Sequence, residues 1–168
     1  MQYKYKVLSV IAPLILILDQ WTKQIVLTTL ALGEKRIFID GFWDWVHVRN
    51  SGAAFGLLAQ TPDWLREPFF YSISVVALVV IVWVFVQMKN SERLLPFPFA
   101  LILGGLLGNG IDRIRFGNVV DFVSWHVGDK VVAGIELVWP AFNVADSAIT
   151  TAMVLLILQM WKGNPKSS

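Results

Sequence analysis

Residues 104–122 read GGLLGNGIDRIRFGNVVDF, an apolar, glycine-rich run that turns polar in its second half. Gly104 and Gly108 continue a four-residue spacing that starts at Ala100, and such a stripe of small side chains lets two membrane helices approach closely. Gly117–Asn118 is expected to loosen the helix. The stretch therefore predicts a membrane-spanning helix that packs tightly along one face and carries polar groups at one end.

The composition of the whole chain indicates a membrane protein. Of 168 residues, 56% are hydrophobic and 15% are charged, and the mean hydropathy is +0.62. When a soluble domain of this length folds, roughly a third of the surface that its unfolded chain exposes stays in contact with water. Such a domain could not bury so much apolar area. We expect residues 1–168 to form a single membrane domain that binds no nucleic acid. The chain has no cysteine, which excludes a disulfide framework, a thiolate nucleophile and a cysteine-based metal site.

Four apolar segments approach the roughly 20 residues that a spanning helix requires. They run from about Val7 to Leu30, Phe69 to Met88, Phe97 to Arg115 and Val138 to Trp161. The first is similar to a secretory signal peptide because Lys4 and Lys6 precede it, but no convincing small-residue cleavage site follows it. We expect it to be a retained span. The predicted fold class is an all-α polytopic membrane protein with four transmembrane helices.

Basic residues around these segments predict the orientation. Four spans place both termini on one side, together with the connection between the second and third spans. Only Glu92 balances the basic residues on that side, which are Lys4, Lys6, Lys89, Arg93, Lys162 and Lys166. Basic residues flank membrane spans on the cytoplasmic side, so we expect a multi-pass protein with both termini cytoplasmic.

A small extracytoplasmic β element is predicted in the first outer segment. Ile37–Ile39 and Phe42–Val48 are rich in strand-forming side chains and flank Asp40–Gly41, a turn signal between strands. The second outer segment has Gly128–Asp129 between apolar runs, which predicts a second hairpin there.

Four aspartates lie at or near membrane depth, where ionisable side chains are costly and by default indicate a functional site. At about 1.5 Å per helical residue, Asp19 lies about 18 Å into the first span, Asp112 about 22 Å into the third and Asp146 roughly 10 Å into the fourth. Asp121 follows the end of the third span. All four are therefore expected in the outer leaflet, in one polar pocket that opens to the outer face.

Two of these acids have a cation close by in the sequence. Asp19 and Lys23 are four residues apart on one helix face, and Asp112 adjoins Arg113. Structural ion pairs are the preferred interpretation of both. Asn109 shares the face of Asp112 and Arg113, and it serves either as a hydrogen-bonding contact between helices or as part of a site.

Asp121 and Asp146 have no basic residue within four positions, so a functional role is the preferred interpretation. Asn143 stands three residues before Asp146, and it too is either a helix contact or part of a site. His47 and His126 lie in the outer segments without metal-ligand spacing, and we expect them to be interfacial or solvated.

Two carboxyls that lie close together cannot both ionise easily, so they share a proton. One then acts as a base on a water that attacks a peptide carbonyl, while the other acts as an acid towards the leaving amine. The same pair would serve a proton-coupled transporter as a relay. In a non-catalytic assembly partner the polar groups would only join helices. The 25-residue separation of Asp121 and Asp146 leaves all three alternatives open.

Four motifs occur in a characteristic order. They are DQWTK at 19–23, RNSGAAFGLL at 49–58, GGLLGNGIDRIRFGNVVDF at 104–122 and FNVADSAIT at 142–150. With them the chain resembles, over nearly its whole length, lipoprotein signal peptidase (signal peptidase II), a family of bacterial intramembrane aspartic peptidases. The resemblance implies an inner-membrane enzyme with its active site towards the outer face. Such an enzyme cleaves the signal peptide from a prolipoprotein just before the diacylglyceryl-modified cysteine.

The resemblance also implies a role for each polar residue. Asp121 and Asp146 match the catalytic dyad, Asp112 is expected to support Arg113, and the β element is expected to lie under the substrate. The positions that match substrate-binding or supporting residues are Asn50, Asn109, Arg113, Asn143, Asp19, Lys23 and Asp112. The implied partners are diacylglyceryl prolipoproteins, membrane lipids and inhibitory cyclic peptide antibiotics; no cofactor and no metal is implied.

The chain departs from the family pattern at two places. The segment Ser124–Pro140 looks longer than usual and carries the additional charges of Lys130 and Glu136, so its residues receive no role. Gly110 stands where a larger apolar residue is usual, and it is expected to loosen the end of the third helix.

Overall fold

The computed structural model describes residues 2–52, 61–132 and 135–162. Residues 53–58 of the second motif and the tail after Lys162 lie outside the described residues. The elements in chain order are α1 (Tyr3–Thr29), β1 (Lys35–Ile39), β2 (Trp43–Asn50), α2 (Asp63–Gln87), α3 (Pro96–Phe116), β3 (Val119–Val132), β4 (Ile135–Val138) and α4 (Val144–Lys162).

Three of the described helices, α1, α2 and α4, are long and apolar enough to cross a membrane. Helix α3 has 21 residues, about 31 Å at about 1.5 Å per residue. It is therefore long enough to span, but its glycines and its polar end make it less apolar than α2 and α4. The structure thus provides three candidate spans among the described residues, and the arrangement with four spans stays a prediction.

The fourth apolar run is not helical throughout, which corrects the span predicted from Val138. Val138 is the last residue of β4, and α4 begins only at Val144. The N–H of Phe142 donates to the carbonyl of Val123 at 3.0 Å, so the chain stays paired with β3 up to that point. Apolar composition alone does not distinguish a buried strand from a helix. Asp146 consequently lies in the first turn of α4, not two turns along it.

The hairpin predicted around Asp40–Gly41 is confirmed. Strands β1 and β2 pair antiparallel, with Lys35 opposite Val46 and Ile37 opposite Asp44. Gly41 has a φ of 69°, a left-handed conformation that glycine adopts without steric cost. Strand β2 also pairs antiparallel with β3, and β3 with β4, which gives the sheet order β1-β2-β3-β4.

The hairpin predicted at Gly128–Asp129 has its turn in the wrong place. Strand β3 continues through both residues to Val132, which lies opposite Ile135 of β4. Pairing with neighbouring strands overrides a local turn signal. The β3–β4 pairing shifts register between His126 and Val131, the stretch that contains Gly128–Asp129.

The chain divides into two compact units. The first consists of residues 1–19, 73–108 and 144–168, and the second of residues 20–72 and 109–143. The first unit contains α4, most of α2 and the N-terminal parts of α1 and α3, whereas the second contains the sheet, the start of α2 and the C-terminal parts of α1 and α3. The single domain expected over the whole chain stays a prediction.

The small-residue stripe of α3 packs against α1 within the first unit, as predicted. A Cβ added at Gly104 would lie 2.8 Å from a carbonyl oxygen of α1, and one at Gly108 would lie 2.5 Å from Oδ2 of Asp19. Gly105 makes the equivalent approach to α4, where a Cβ would lie 2.7 Å from the carbonyl oxygen of Ala145. Helices approach this closely only where no side chain intervenes.

Buried Lys4 connects the start of α1 to the end of α2. Its Nζ donates to the carbonyl oxygens of Val86 and Met88 at 2.7 and 2.8 Å. An ammonium group in this position satisfies carbonyls that have no helical partner and interacts favourably with the helix dipole. Arg93 lies over the ring of Tyr3, 5.1 Å from its centroid. The N-terminus and the α2–α3 connection therefore lie at the same end of the first unit.

We predict that Gly110→Ala raises the free energy of unfolding by about 0.5–1 kcal/mol, because alanine is the better helix former. Helix α3 continues through Gly110, so this glycine does not loosen it, and nothing lies within 4 Å of a Cβ built there. The matched substitution Gly108→Ala is expected to destabilise, since its Cβ would meet Asp19. Thermal unfolding of the purified protein in detergent measures both, and a Gly110→Ala protein less stable than the parent would contradict the prediction.

Candidate active site

Asp121 lies where a helix changes into a strand. Helix α3 ends at Phe116, and Gly117 with a φ of 73° donates its N–H to the carbonyl of Arg113 at 2.9 Å. This is a glycine helix cap. Strand β3 begins two residues later, so Asp121 lies just beyond the helix, as the sequence predicted. Its side chain is 1% exposed.

Both oxygens of the Asp121 carboxyl accept hydrogen bonds from asparagine side chains. Nδ2 of Asn50, at the end of β2, donates to Oδ2 at 2.9 Å. Nδ2 of Asn143 donates to Oδ1 at 2.7 Å. The structure thus brings together three residues that the sequence placed in one site, and the acid without a nearby cation in the sequence has amide partners in the fold.

A buried lysine determines the orientation of the Asn143 amide through Asn109. An ammonium group only donates hydrogen bonds, so the Asn109 Oδ1 that lies 2.9 Å from Lys23 Nζ must be the acceptor. The same oxygen accepts from Asn143 Nδ2 at 3.1 Å. The amide of Asn143 therefore presents its N–H groups, not its oxygen, to Asp121. Asn109 and Asn143 thus belong to one network with Lys23.

Asp112 has partners that the sequence did not predict. Its Oδ2 lies 2.9 Å from Lys23 Nζ and accepts the N–H of Val120 at 3.0 Å, and its Oδ1 accepts from Gln20 Nε2 at 3.0 Å. The carboxylate supports the first residues of β3; the support that it was expected to give to Arg113 stays a prediction. Sequence reasoning missed Gln20, although its three-residue spacing from Lys23 places both on one helix face.

Asp146 and Asp19 lie in the first unit, where the Asp19 side chain accepts a hydrogen bond from the backbone next to Asp146. Oδ1 of Asp19 accepts the N–H of Ala145 at 2.9 Å. Ala145 directly precedes Asp146, so a fully buried carboxylate holds the beginning of α4. Carboxylates are favoured at this position because the first N–H groups of a helix lack intrahelical partners. The expected Asp19–Lys23 ion pair stays a prediction.

Arg113 lines a cavity of about 240 Å³ in the second unit. The other described lining residues are Ser51, Pro68, Phe70, Tyr71 and Gly117. A guanidinium group beside aromatic and hydroxyl side chains suits a ligand that combines apolar surface with carbonyl or carboxylate oxygens. Ser51, which lines the cavity, directly follows Asn50, a hydrogen-bond donor to Asp121.

His47 is buried and His126 is nearly buried, with a side chain that is 10% exposed, so neither ring is solvated; the interfacial position stays a prediction. His47 is 5% exposed, and its Nδ1 lies 3.0 Å from the carbonyl oxygen of Leu30. His126 Nε2 lies 2.9 Å from Oδ2 of the buried Asp44. Among the described residues, no group of three or more acidic, histidine or cysteine side chains is arranged to hold a metal.

Comparison with known proteins identifies the family. A family model described as signal peptidase (SPase) II matches residues 11–162. The chain belongs to the signal peptidase II family. It is therefore an integral membrane peptidase that removes signal peptides, and three candidate membrane helices are in keeping with this.

Curated relatives and solved structures agree with this assignment. The lipoprotein signal peptidase of Syntrophotalea carbinolica is 42% identical over 159 residues, which cover 95% of this chain and 93% of that protein. The protein of the same name from Alteromonas mediterranea is 43% identical, over 94% of this chain and 82% of its own. A solved bacterial membrane enzyme, determined in meso at 2.3 Å, has a TM-score of 0.79 at 32% identity and covers 99% of this chain and 96% of its own.

We predict that Lys23→Met destabilises this signal peptidase II family member by about 3–5 kcal/mol, because it leaves the Asp112 carboxylate buried without its cation. The side chains of Lys23 and Asp112 are 2% and 1% exposed. Thermal unfolding in detergent measures the effect, with Lys89→Met at an exposed position as the control. The double variant Lys23→Met/Asp112→Asn is expected to recover part of the loss. An unchanged unfolding temperature for Lys23→Met would show that the ion pair is dispensable.

Proposed function

We propose that the protein is an aspartic endopeptidase in which Asp121 and Asp146 form the catalytic dyad. Its substrate would be a diacylglyceryl-modified prolipoprotein, cut just before the lipidated cysteine. The observation that carries the proposal is the environment of Asp121, a buried carboxyl whose two oxygens each accept an amide hydrogen bond. Asp146, in the first turn of the helix that follows, supplies the second carboxyl.

In the proposed reaction one aspartate is ionised and the other is protonated. The ionised carboxylate takes a proton from a water molecule as the water oxygen attacks the carbonyl carbon of the scissile peptide. The protonated carboxyl first donates a hydrogen bond to the carbonyl oxygen. As the C–N bond breaks, it transfers its proton to the leaving nitrogen. Hydrogen bonds donated by Asn50 and Asn143 stabilise the ionised form of Asp121, which supports this residue as the base.

The remaining polar residues would bind or support the substrate site. Asn50 and Asn143 hold Asp121, and Asn109 orients Asn143. Arg113, in the wall of the 240 Å³ cavity, is the cation available for carbonyl oxygens of the peptide or of the diacylglyceryl esters. Membrane lipids and cyclic peptide antibiotics are further partners in the proposal, and the reaction as proposed needs no metal and no cofactor.

We also propose four spans, with both termini cytoplasmic and the active site towards the outer face. Contacts within the first unit support the even number of spans: Lys4 contacts the end of α2, and Gln159 Nε2 near the end of α4 lies 3.4 Å from the carbonyl oxygen of Leu94. Both termini would thus lie at the end that holds the α2–α3 connection. Residues 99–103 of α3 are buried, so this helix needs fewer apolar residues than one surrounded by lipid.

Replacing either carboxyl of the dyad tests the aspartic mechanism. Asp121→Asn and Asp146→Asn are each expected to reduce turnover of a diacylglyceryl prolipoprotein by at least about a hundredfold, because an amide neither takes nor gives the required proton. Cleavage by the purified protein, followed on a gel, measures this. Asp40→Asn, at an exposed turn position, is the matched control and should leave turnover unchanged. Near-normal turnover by either dyad variant would overturn the mechanism and favour a role in helix contacts.

Single cysteines test the orientation, because the chain has none of its own. Asp40→Cys lies in the β1–β2 turn and Asn90→Cys in the α2–α3 connection, and both positions are exposed. A membrane-impermeant maleimide added to intact spheroplasts is expected to label Asp40→Cys. It should label Asn90→Cys only after the membrane is permeabilised. The reverse pattern would invert the proposed orientation.

A further inference from the structure

Gln20 is a polar residue to which neither the family motifs nor the proposed reaction gives a role. It lies three residues before Lys23 on α1, and its Nε2 donates to Oδ1 of Asp112 at 3.0 Å. Lys23 Nζ lies 2.9 Å from the other oxygen, Oδ2. Two side chains on one face of α1 therefore hold both oxygens of a single buried carboxylate, which determines the rotation of its plane as well as its position.

The carboxylate held in this way fixes the backbone immediately before Asp121. Oδ2 of Asp112 accepts the N–H of Val120 at 3.0 Å. The carbonyl of Val120 accepts from Asn143 Nδ2 at 3.2 Å. The peptide groups on both sides of this fully buried residue are thus held by side chains. Because successive strand residues point to opposite faces, the position of the Val120 peptides determines the direction in which the Asp121 side chain leaves β3.

We propose that Gln20 is a positioning residue for the peptidase reaction, acting on Asp121 through Asp112 and the Val120 backbone. The inference rests on the proposed function, because it takes Asp121 to be catalytic. Gln20 makes its contribution through the carboxylate it orients and not through the substrate. A small displacement of a catalytic group reduces the rate strongly even when its cause lies away from the reacting atoms.

Gln20→Met removes the donor and keeps the length of the side chain. We expect kcat on a diacylglyceryl prolipoprotein to fall about tenfold, because Asp121 is no longer aligned. KM is expected to stay within about twofold, because the substrate contacts are unchanged. Gln24→Met, one turn along the same helix at an exposed position, is the matched control and should retain full kcat. A Gln20→Met protein with unchanged kcat would overturn the inference.

Gln20→Glu adds a readout that a purely structural role would not produce. The ionised form of the new carboxyl is repelled by Asp112, with Lys23 the cation near both, whereas its protonated form can donate to Asp112 as the amide does. The kcat of this variant, divided by that of the parent at each pH, is expected to rise as the pH falls and the new carboxyl takes up a proton beside the Asp112 carboxylate. A ratio that does not change with pH would contradict the positioning role. This test remains available if Gln20→Met fails to fold.

Asp121→Asn separates this inference from the proposed function. If Asp121→Asn retains turnover, the assignment of the dyad fails. If Asp121→Asn is inactive while both Gln20 variants behave like the parent, the dyad stands and only the role of Gln20 is rejected.

Discussion

The buried ion pair between Lys23 and Asp112 is the interaction on which the rest of the site depends. Removing two charges from water costs several kcal/mol for each ion, and the pair is stable only if further hydrogen bonds satisfy the remaining donors and lone pairs. Gln20, the Val120 N–H and Asn109 supply those bonds. The cost of burying the pair thus explains why amides and a backbone group converge around it, and the same groups orient Asp121.

The two acids of the proposed dyad are supported in the same way within their respective units. A buried carboxylate accepts the N–H of the residue that precedes each of them: Asp112 holds Val120, before Asp121, and Asp19 holds Ala145, before Asp146. In both places a regular element begins, where backbone donors lack their ordinary partners. Two of the four aspartates thus stabilise the backbone, and the other two form the proposed dyad.

Polar groups inside a membrane protein also need space, and the glycines of α3 provide it. Gly108 leaves room for Asp19, and Gly104 and Gly105 let neighbouring backbones approach within van der Waals contact. Gly110, one residue after Asn109, has no such role, because a Cβ built there would meet nothing within 4 Å. Close packing of this kind compensates for the weak hydrophobic driving force between helices in lipid.

Elements with local signals could be predicted from the amino-acid sequence alone. It predicted α3 as Phe97–Arg115 against Pro96–Phe116 in the structure, the β1–β2 hairpin at its Asp40–Gly41 turn, and the family through four ordered motifs. It did not predict that β4 ends at Val138, or that the chain pairs with β3 again at Phe142 before α4 begins at Val144. Nor did it predict that Asp112 binds Gln20, which lies 92 residues away in the chain. Periodicity and turn residues act between near neighbours, whereas strand pairing and the partners of buried charges are decided by which distant segments the fold brings together.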